Sequence, residues 1–171
     1  MILIISTCKE KLSELEFVRP IENTVKNFVT KHYEELSQED IDSADRIILT
    51  GTALKDFDYL EHDFSWLLKT DKPVLGICAG MQIIAKEFQI PLVTFVTIGP
   101  RQVETVAENN LAKGTFNAYF LHTKTAVEGF KTLAMTNGKP CMIKHPDKEI
   151  YGCIFHPEVM NEDIIRRFVR T

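Results

Sequence analysis

Val74-Leu75-Gly76-Ile77-Cys78-Ala79-Gly80-Met81-Gln82 is the stretch from which the rest of the chain can be read. A short apolar run leads to Cys78, and a helix-like pattern continues from Gly80 to Phe88. A buried strand thus passes straight into a helix, with a cysteine at the corner between two glycines. The spacing is that of the G-x-S-x-G elbow, with sulfur in place of oxygen. Such a corner residue is forced into a strained backbone conformation that presents its side chain above the sheet. Gly76 and Gly80 carry no Cβ, so strand and helix can close around it. The helix N-terminus favours negative charge, which assists a thiolate and lets the Ala79 N–H face an oxyanion. A free cysteine is more often a small buried hydrophobe. The position at the carboxyl end of a strand, where α/β folds bind ligands, argues for chemistry instead.

On either side of this corner the segments alternate. Ile2 to Ser6 reads as a buried strand. Pro20 starts a helical pattern with Ile21, Val25 and Phe28 on one face. Val29 to Tyr33 fits a short strand, and Gln38 to Ser43 one or two helical turns. Arg46 to Thr50 is a strand running into Gly51, Asp63 to Lys69 a helix, and Pro73 to Ile77 the strand before the elbow. This β-α-β-α-β-α order predicts a parallel sheet with helices on both faces. From Leu92 the texture changes to short β-rich runs: Leu92–Thr97, Gln102–Val106, Thr115–Leu121, Thr132–Thr136, Cys141–Lys144 and Glu149–Phe155. Asn137-Gly138 is a hairpin turn signal. Asn161 to Arg170 reads as a helix capped by Asn161, with acidic residues first and arginines last. The expected fold is one α/β domain over residues 1–171, carrying a small antiparallel β appendage.

The composition narrows the function. The 171 residues are 44% apolar and carry a net charge of -4, with no Lys/Arg run dense enough for a nucleic-acid footprint. No stretch approaches the roughly 18 apolar residues of a membrane span. The first residues, MILIISTCKEK, lack a basic segment and suit a first strand better than a secretory signal. Cys8, Cys78, Cys141 and Cys153 form no C-x-x-C pair, and the five histidines form no H-x-x-x-H pair. A reduced, cytoplasmic setting without a metal is expected.

A thiol nucleophile needs a base, and Tyr151-Gly152-Cys153-Ile154-Phe155-His156-Pro157-Glu158 offers one. An apolar strand ends in His156, Pro157 restricts it to extended geometry, and Glu158 stands two residues on. The carboxylate can orient the imidazole as the third member of a triad. Standing alone, His156 would equally suit a surface turn.

Gly76-Ile77-Cys78-Ala79-Gly80-Met81-Gln82, followed by Phe155-His156-Pro157-Glu158-Val159, resembles the class I, triad-type glutamine amidotransferases, with both motifs in the family's order and essentially the whole chain covered. The resemblance implies a flavodoxin-like sheet, hydrolysis of the glutamine side-chain amide, no cofactor, and delivery of ammonia to a synthetase. It makes Cys78 the nucleophile, His156 the general base and acid, and Glu158 the orienting carboxylate. It places Gln82 and Gly51 with the substrate, and Ala79 and Thr52 as backbone donors to the oxyanion. No synthetase domain is attached, so a separate synthetase subunit is implied, of GMP synthetase or of aminobenzoate or anthranilate type.

The chain also departs from the family. Gly51-Thr52-Ala53 replaces Gly-Gly-Pro, Phe88-Gln89-Ile90-Pro91 replaces a Gly-Gly pair, and Leu121-His122-Thr123-Lys124 keeps only the His of S-H-x-D. His122 therefore stands as either a partner-facing or a plain surface histidine. A γ-glutamyl hydrolase or cysteine peptidase of the same fold, or a catalytically silent regulatory domain, are the alternatives.

Overall fold

A computed structural model describes residues 1–171. In chain order the elements are β1 (Ile2–Ser6), α1 (Glu14–Phe17), α2 (Arg19–Thr24), β2 (Phe28–His32), α3 (Gln38–Ser43), β3 (Arg46–Leu49), α4 (Trp66–Lys69), β4 (Val74–Ile77), α5 (Ala79–Glu87), β5 (Leu92–Thr105), β6 (Thr115–Ala126), β7 (Lys131–Thr136), β8 (Lys139–Lys144), β9 (Ile150–Cys153), α6 (Pro157–Met160) and α7 (Glu162–Phe168). Strands β1 and β4 are buried along their whole length. Such unbroken burial belongs to a parallel sheet covered on both faces.

All nine strands join one sheet in the order β2-β1-β3-β4-β9-β8-β7-β5-β6. From β2 to β9 every pairing is parallel, the 2-1-3-4 order of a flavodoxin-like sheet completed by the last strand of the chain. Alternate residues of β1 serve opposite layers. Ile2 and Ile4 pack with Phe17, Ile21, Ile164 and Phe168, whereas Leu3 and Ile5 pack with Ile41, Leu67, Ile83 and Ile84.

The antiparallel strands are hydrogen-bonded directly onto the parallel half, through Met142↔Cys153, Ile143↔Gly152 and Lys144↔Tyr151. They extend the sheet rather than hang from it. The expected break between Leu92–Thr97 and Gln102–Val106 is absent: β5 runs through Gly99-Pro100 and pairs with β6 from Leu92 to Glu104, with a bulge between Thr94 and Thr97. Long-range pairing overrides a local breaker here. Helix α2 stops at Thr24 instead of reaching Phe28, because Asn27 turns the chain in the left-handed region (φ 54°) and Phe28 enters β2. The Asn137-Gly138 turn joins β7 to β8 with both residues at positive φ, as expected. Asn161 precedes α7, yet its side chain does not cap it; Nδ2 donates to Asn117 O at 2.9 Å. No helix is long and apolar enough to cross a membrane.

Candidate active site

The corner between β4 and α5 has the predicted strain. Cys78 sits at φ 48°, ψ -99°, a region that non-glycine residues rarely enter. Its backbone is fixed from both sides, with Cys78 N–H donating to Cys153 O at 2.8 Å and Gln82 N–H donating to Cys78 O at 3.1 Å. Sγ donates to Leu121 O at 3.5 Å. The side chain is not held out in solvent above the sheet: Cys78 is 4% exposed. It lies at the floor of a narrow cleft of ≈ 10 Å³, bordered by Thr52, Leu54, Phe57, Gln82, His122 and Thr123. Burial pushes the other free thiols up, Cys8 to about 11 and Cys141 to about 12. They are protonated small hydrophobes at neutral pH.

The far end of the chain brings the imidazole to the sulfur. β9 lies beside β4, so the segment after Cys153 is delivered next to the elbow. His156 N–H donates to Tyr119 O at 2.8 Å, and Pro157 begins α6, which turns Glu158 back toward the ring. His156 Nδ1 and Glu158 Oε1 lie 2.7 Å apart, with both residues buried. Nε2 has no hydrogen-bond partner, so it is the nitrogen free to take a proton. Burial opposes charge on this ring, but the neighbouring Cys78 sulfur and the Glu158 carboxylate outweigh it, and the imidazole pKa stands well above its usual value. Phe17 covers the ring at a centroid distance of 5.6 Å.

The loop after β3 forms the opposite wall. Thr7 Oγ1 donates to Thr50 O at 3.0 Å and to Gly51 O at 3.2 Å, tying the loop to the end of β1. Thr52 Oγ1 donates to Asp56 Oδ2 at 2.7 Å. The backbone N–H of Thr52 has no acceptor within the protein. The Ala79 N–H, first in its helix, has no intrahelical partner either. Thr52 and Ala79, the two expected oxyanion donors, both border the cleft with Cys78.

Gly51 and Gln82, both expected beside the substrate, are each packed or hydrogen-bonded within the protein. Gly51 is outside the cleft lining and packs under the imidazole: a Cβ there would lie 2.7 Å from His156 Cε1 and 3.2 Å from Nδ1. Gly51→Ala therefore displaces the ring. An error of about 1 Å in catalytic geometry can cost about a hundredfold in rate. We expect a loss of catalytic turnover on the order of tenfold to a hundredfold with an unchanged circular dichroism spectrum; full turnover would show that the ring position is not critical. Gln82 borders the cleft, but its Oε1 accepts from Tyr59 OH and its Nε2 donates to Lys124 O at 2.9 Å. It links α5 to β6 and leaves one N–H for a ligand.

His122 is neither partner-facing nor on the surface. It is 3% exposed in β6 and borders the cleft, with Nδ1 unpartnered. Burial, and then the charge of His156, lower its pKa to about 4, so it is neutral at pH 7. Tyr59, Phe17 and Asp56 escaped the sequence reading because their roles depend on long-range packing. No cluster of three or more His, Cys, Asp or Glu is placed to hold a metal.

Comparison with known proteins gives this geometry a family. The family model for class-I glutamine amidotransferases matches residues 12–170. The chain belongs to that family. Over 106 residues it is 37% identical to a glutamine-hydrolyzing GMP synthase subunit of Methanosphaera stadtmanae, covering 56% of each chain. Over 111 residues it is 32% identical to the Pyrococcus furiosus protein of the same name, covering 57% of this chain and 59% of that one. The matched stretch thus spans little more than half the length of these curated relatives. Among solved structures, a Thermoplasma acidophilum chain assigned as a GMP synthase subunit superposes with a TM-score of 0.82 at 21% identity, covering 99% of this amidotransferase and 93% of that chain. The PurLQS structure from Thermotoga maritima superposes with a TM-score of 0.73 at 12% identity, covering 99% and 97%. At these identities the superpositions speak for the fold.

Proposed function

We propose that this amidotransferase hydrolyses the side-chain amide of glutamine and supplies the ammonia to a separate synthetase subunit, of GMP synthetase type. The observation that carries this is the meeting of a strained corner sulfur with a buried imidazole whose Nδ1 is held by Glu158 at 2.7 Å. Cys78 gives its proton to His156 Nε2 and attacks the amide carbon. The oxyanion is received by the N–H groups of Ala79 and Thr52, each such donor supporting the transition state by about 3–4 kcal/mol. His156 protonates the departing ammonia, and water then hydrolyses the γ-glutamyl thioester with His156 again as base. The space above the sulfur holds little more than a water. Glutamine therefore enters by parting the loop at residues 52–57 from β6. The single sheet joining all nine strands favours one domain over residues 1–171, and four free thiols favour a cytoplasmic setting.

The test is glutamate release from glutamine, measured with the wild type and Glu158→Gln, each alone and then mixed with the synthetase subunit of a GMP synthetase. The glutamine amide still accepts from Nδ1 but no longer stabilises the imidazolium. In an unrelated triad the orienting acid mattered about a hundredfold less than the nucleophile. Glu158→Gln should therefore retain about a hundredfold more activity than a variant lacking the sulfur. Equal activity in wild type and Glu158→Gln would remove Glu158 from the mechanism. No glutamate from the wild type with the synthetase present would end the glutaminase reading.

A further inference from the structure

The deep end of the cleft is accounted for by Cys78, Ala79 and Gln82, but a charge stands against its Phe57 wall that the chemistry above does not use. Lys124 lies in β6, and its own carbonyl anchors Gln82. Its ammonium faces a ring rather than a carboxylate: Nζ stands 4.6 Å from the centroid of Phe57, a residue of the cleft wall. The nearby Asp56 carboxylate is already engaged, by Thr52 Oγ1 and by the Lys9 N–H at 2.7 Å each. The cation beside Phe57 is thus half-buried and held only by a ring face, a weak partner that an anion readily replaces.

The geometry points to Lys124 as the specificity-determining residue that takes the α-carboxylate of the substrate. This inference rests on the glutaminase reading. A glutamine whose amide carbon meets Cys78 leaves its amino-acid head a few bonds back along the cleft, toward the Phe57 wall. There the carboxylate displaces Phe57 as the partner of Nζ. A charge-assisted contact replaces the cation–π contact, and the site rejects amides lacking the acidic head. The ligand class is an α-amino acid with a γ-amide, not amides in general.

The test labels Cys78 in the full chain, so that it needs no turnover. One reagent is the diazoketone analogue of glutamine, which keeps the amino-acid head; the other is iodoacetamide, which has none. Peptide mass spectrometry follows the rate at Cys78 in the wild type, Lys124→Met and Lys124→Arg. We expect Lys124→Met to slow diazoketone labelling about tenfold at low reagent concentration, the loss of one charge-assisted contact. Lys124→Arg retains most of the rate, and the iodoacetamide rates differ by less than about twofold. An unchanged diazoketone rate in Lys124→Met overturns the inference while leaving the glutaminase reading standing. So does a change of equal size with both reagents, which would show that Lys124 only holds the 52–57 loop closed. A wild-type Cys78 with no preference for the diazoketone sinks both.

Discussion

Cys78→Ala should reduce glutamate release on the order of a millionfold, to the background rate. Loss of a triad nucleophile in a serine protease has an effect of that order, and no other thiol in this chain can substitute. Cys8 and Cys141 are held protonated by burial, and Cys153 is fully enclosed behind the elbow. The substitution should leave the fold intact, since removing Sγ takes away only its side-chain interactions with Leu121 O and the His156 ring and leaves the backbone anchors untouched. A second readout separates chemistry from unfolding. The sulfur is the foremost of the groups raising the His156 pKa against the effect of burial. In Cys78→Ala that support disappears, and the imidazole should titrate at lower pH than in the wild type, as followed by NMR of the ring protons. Near-wild-type glutamate release, or a His156 titration that does not move, would detach the sulfur from the mechanism.

The elbow was legible in the sequence because its requirements are local. A strand, a corner and two glycines lie within a few residues, and the glycines report a close approach that nothing but missing Cβ atoms permits. His156 and Glu158 were legible for a similar reason, since Pro157 fixes the turn between them. The closed cleft was not. Cys78 is covered by Thr52 and Phe57 from one loop and by Leu121 and His122 from β6, and no spacing rule joins segments that far apart. The second half of the sheet was readable as β-rich, but the direct pairing of β8 with β9 is a matter of register between distant strands. The packing of Gly51 was hidden for a subtler reason. Its position after β3 reads as a turn, but that its missing Cβ makes room for the His156 imidazole is decided only in three dimensions. The same limit applied to Asn161, whose capping side chain finds Asn117 O across the fold.

Gly80→Ala sets helix propensity against packing, and the magnitudes choose the winner. Alanine within a helix is favoured over glycine by about 1 kcal/mol, so propensity alone expects a stabler protein. The Cβ would, however, stand 2.5 Å from Leu49 O and 2.7 Å from Leu49 Cβ. Leu49 is a buried residue of β3, and its carbonyl is backbone, which cannot swing aside. Forcing an atom into a packed core costs about 1–3 kcal/mol, and more where the main chain must move. The clash outweighs the propensity gain, for a net loss of about 1–2 kcal/mol. In a domain of this size that corresponds to a fall in Tm of about 2–8 °C. The fall has a functional counterpart, because the least costly relief moves α5 away from β3. That movement carries Cys78 and the Ala79 N–H away from Thr52 and opens the proposed oxyanion site. Glutaminase activity should therefore drop even at temperatures where Gly80→Ala remains folded. Gly114→Ala is the contrasting case: glycine there has φ +65° but open space around it, so only local strain of about 1 kcal/mol applies and activity is retained. A Tm for Gly80→Ala equal to or above that of the wild type would mean that strand and helix do not approach as closely as the elbow requires. The strained corner at Cys78 would then lose its structural cause.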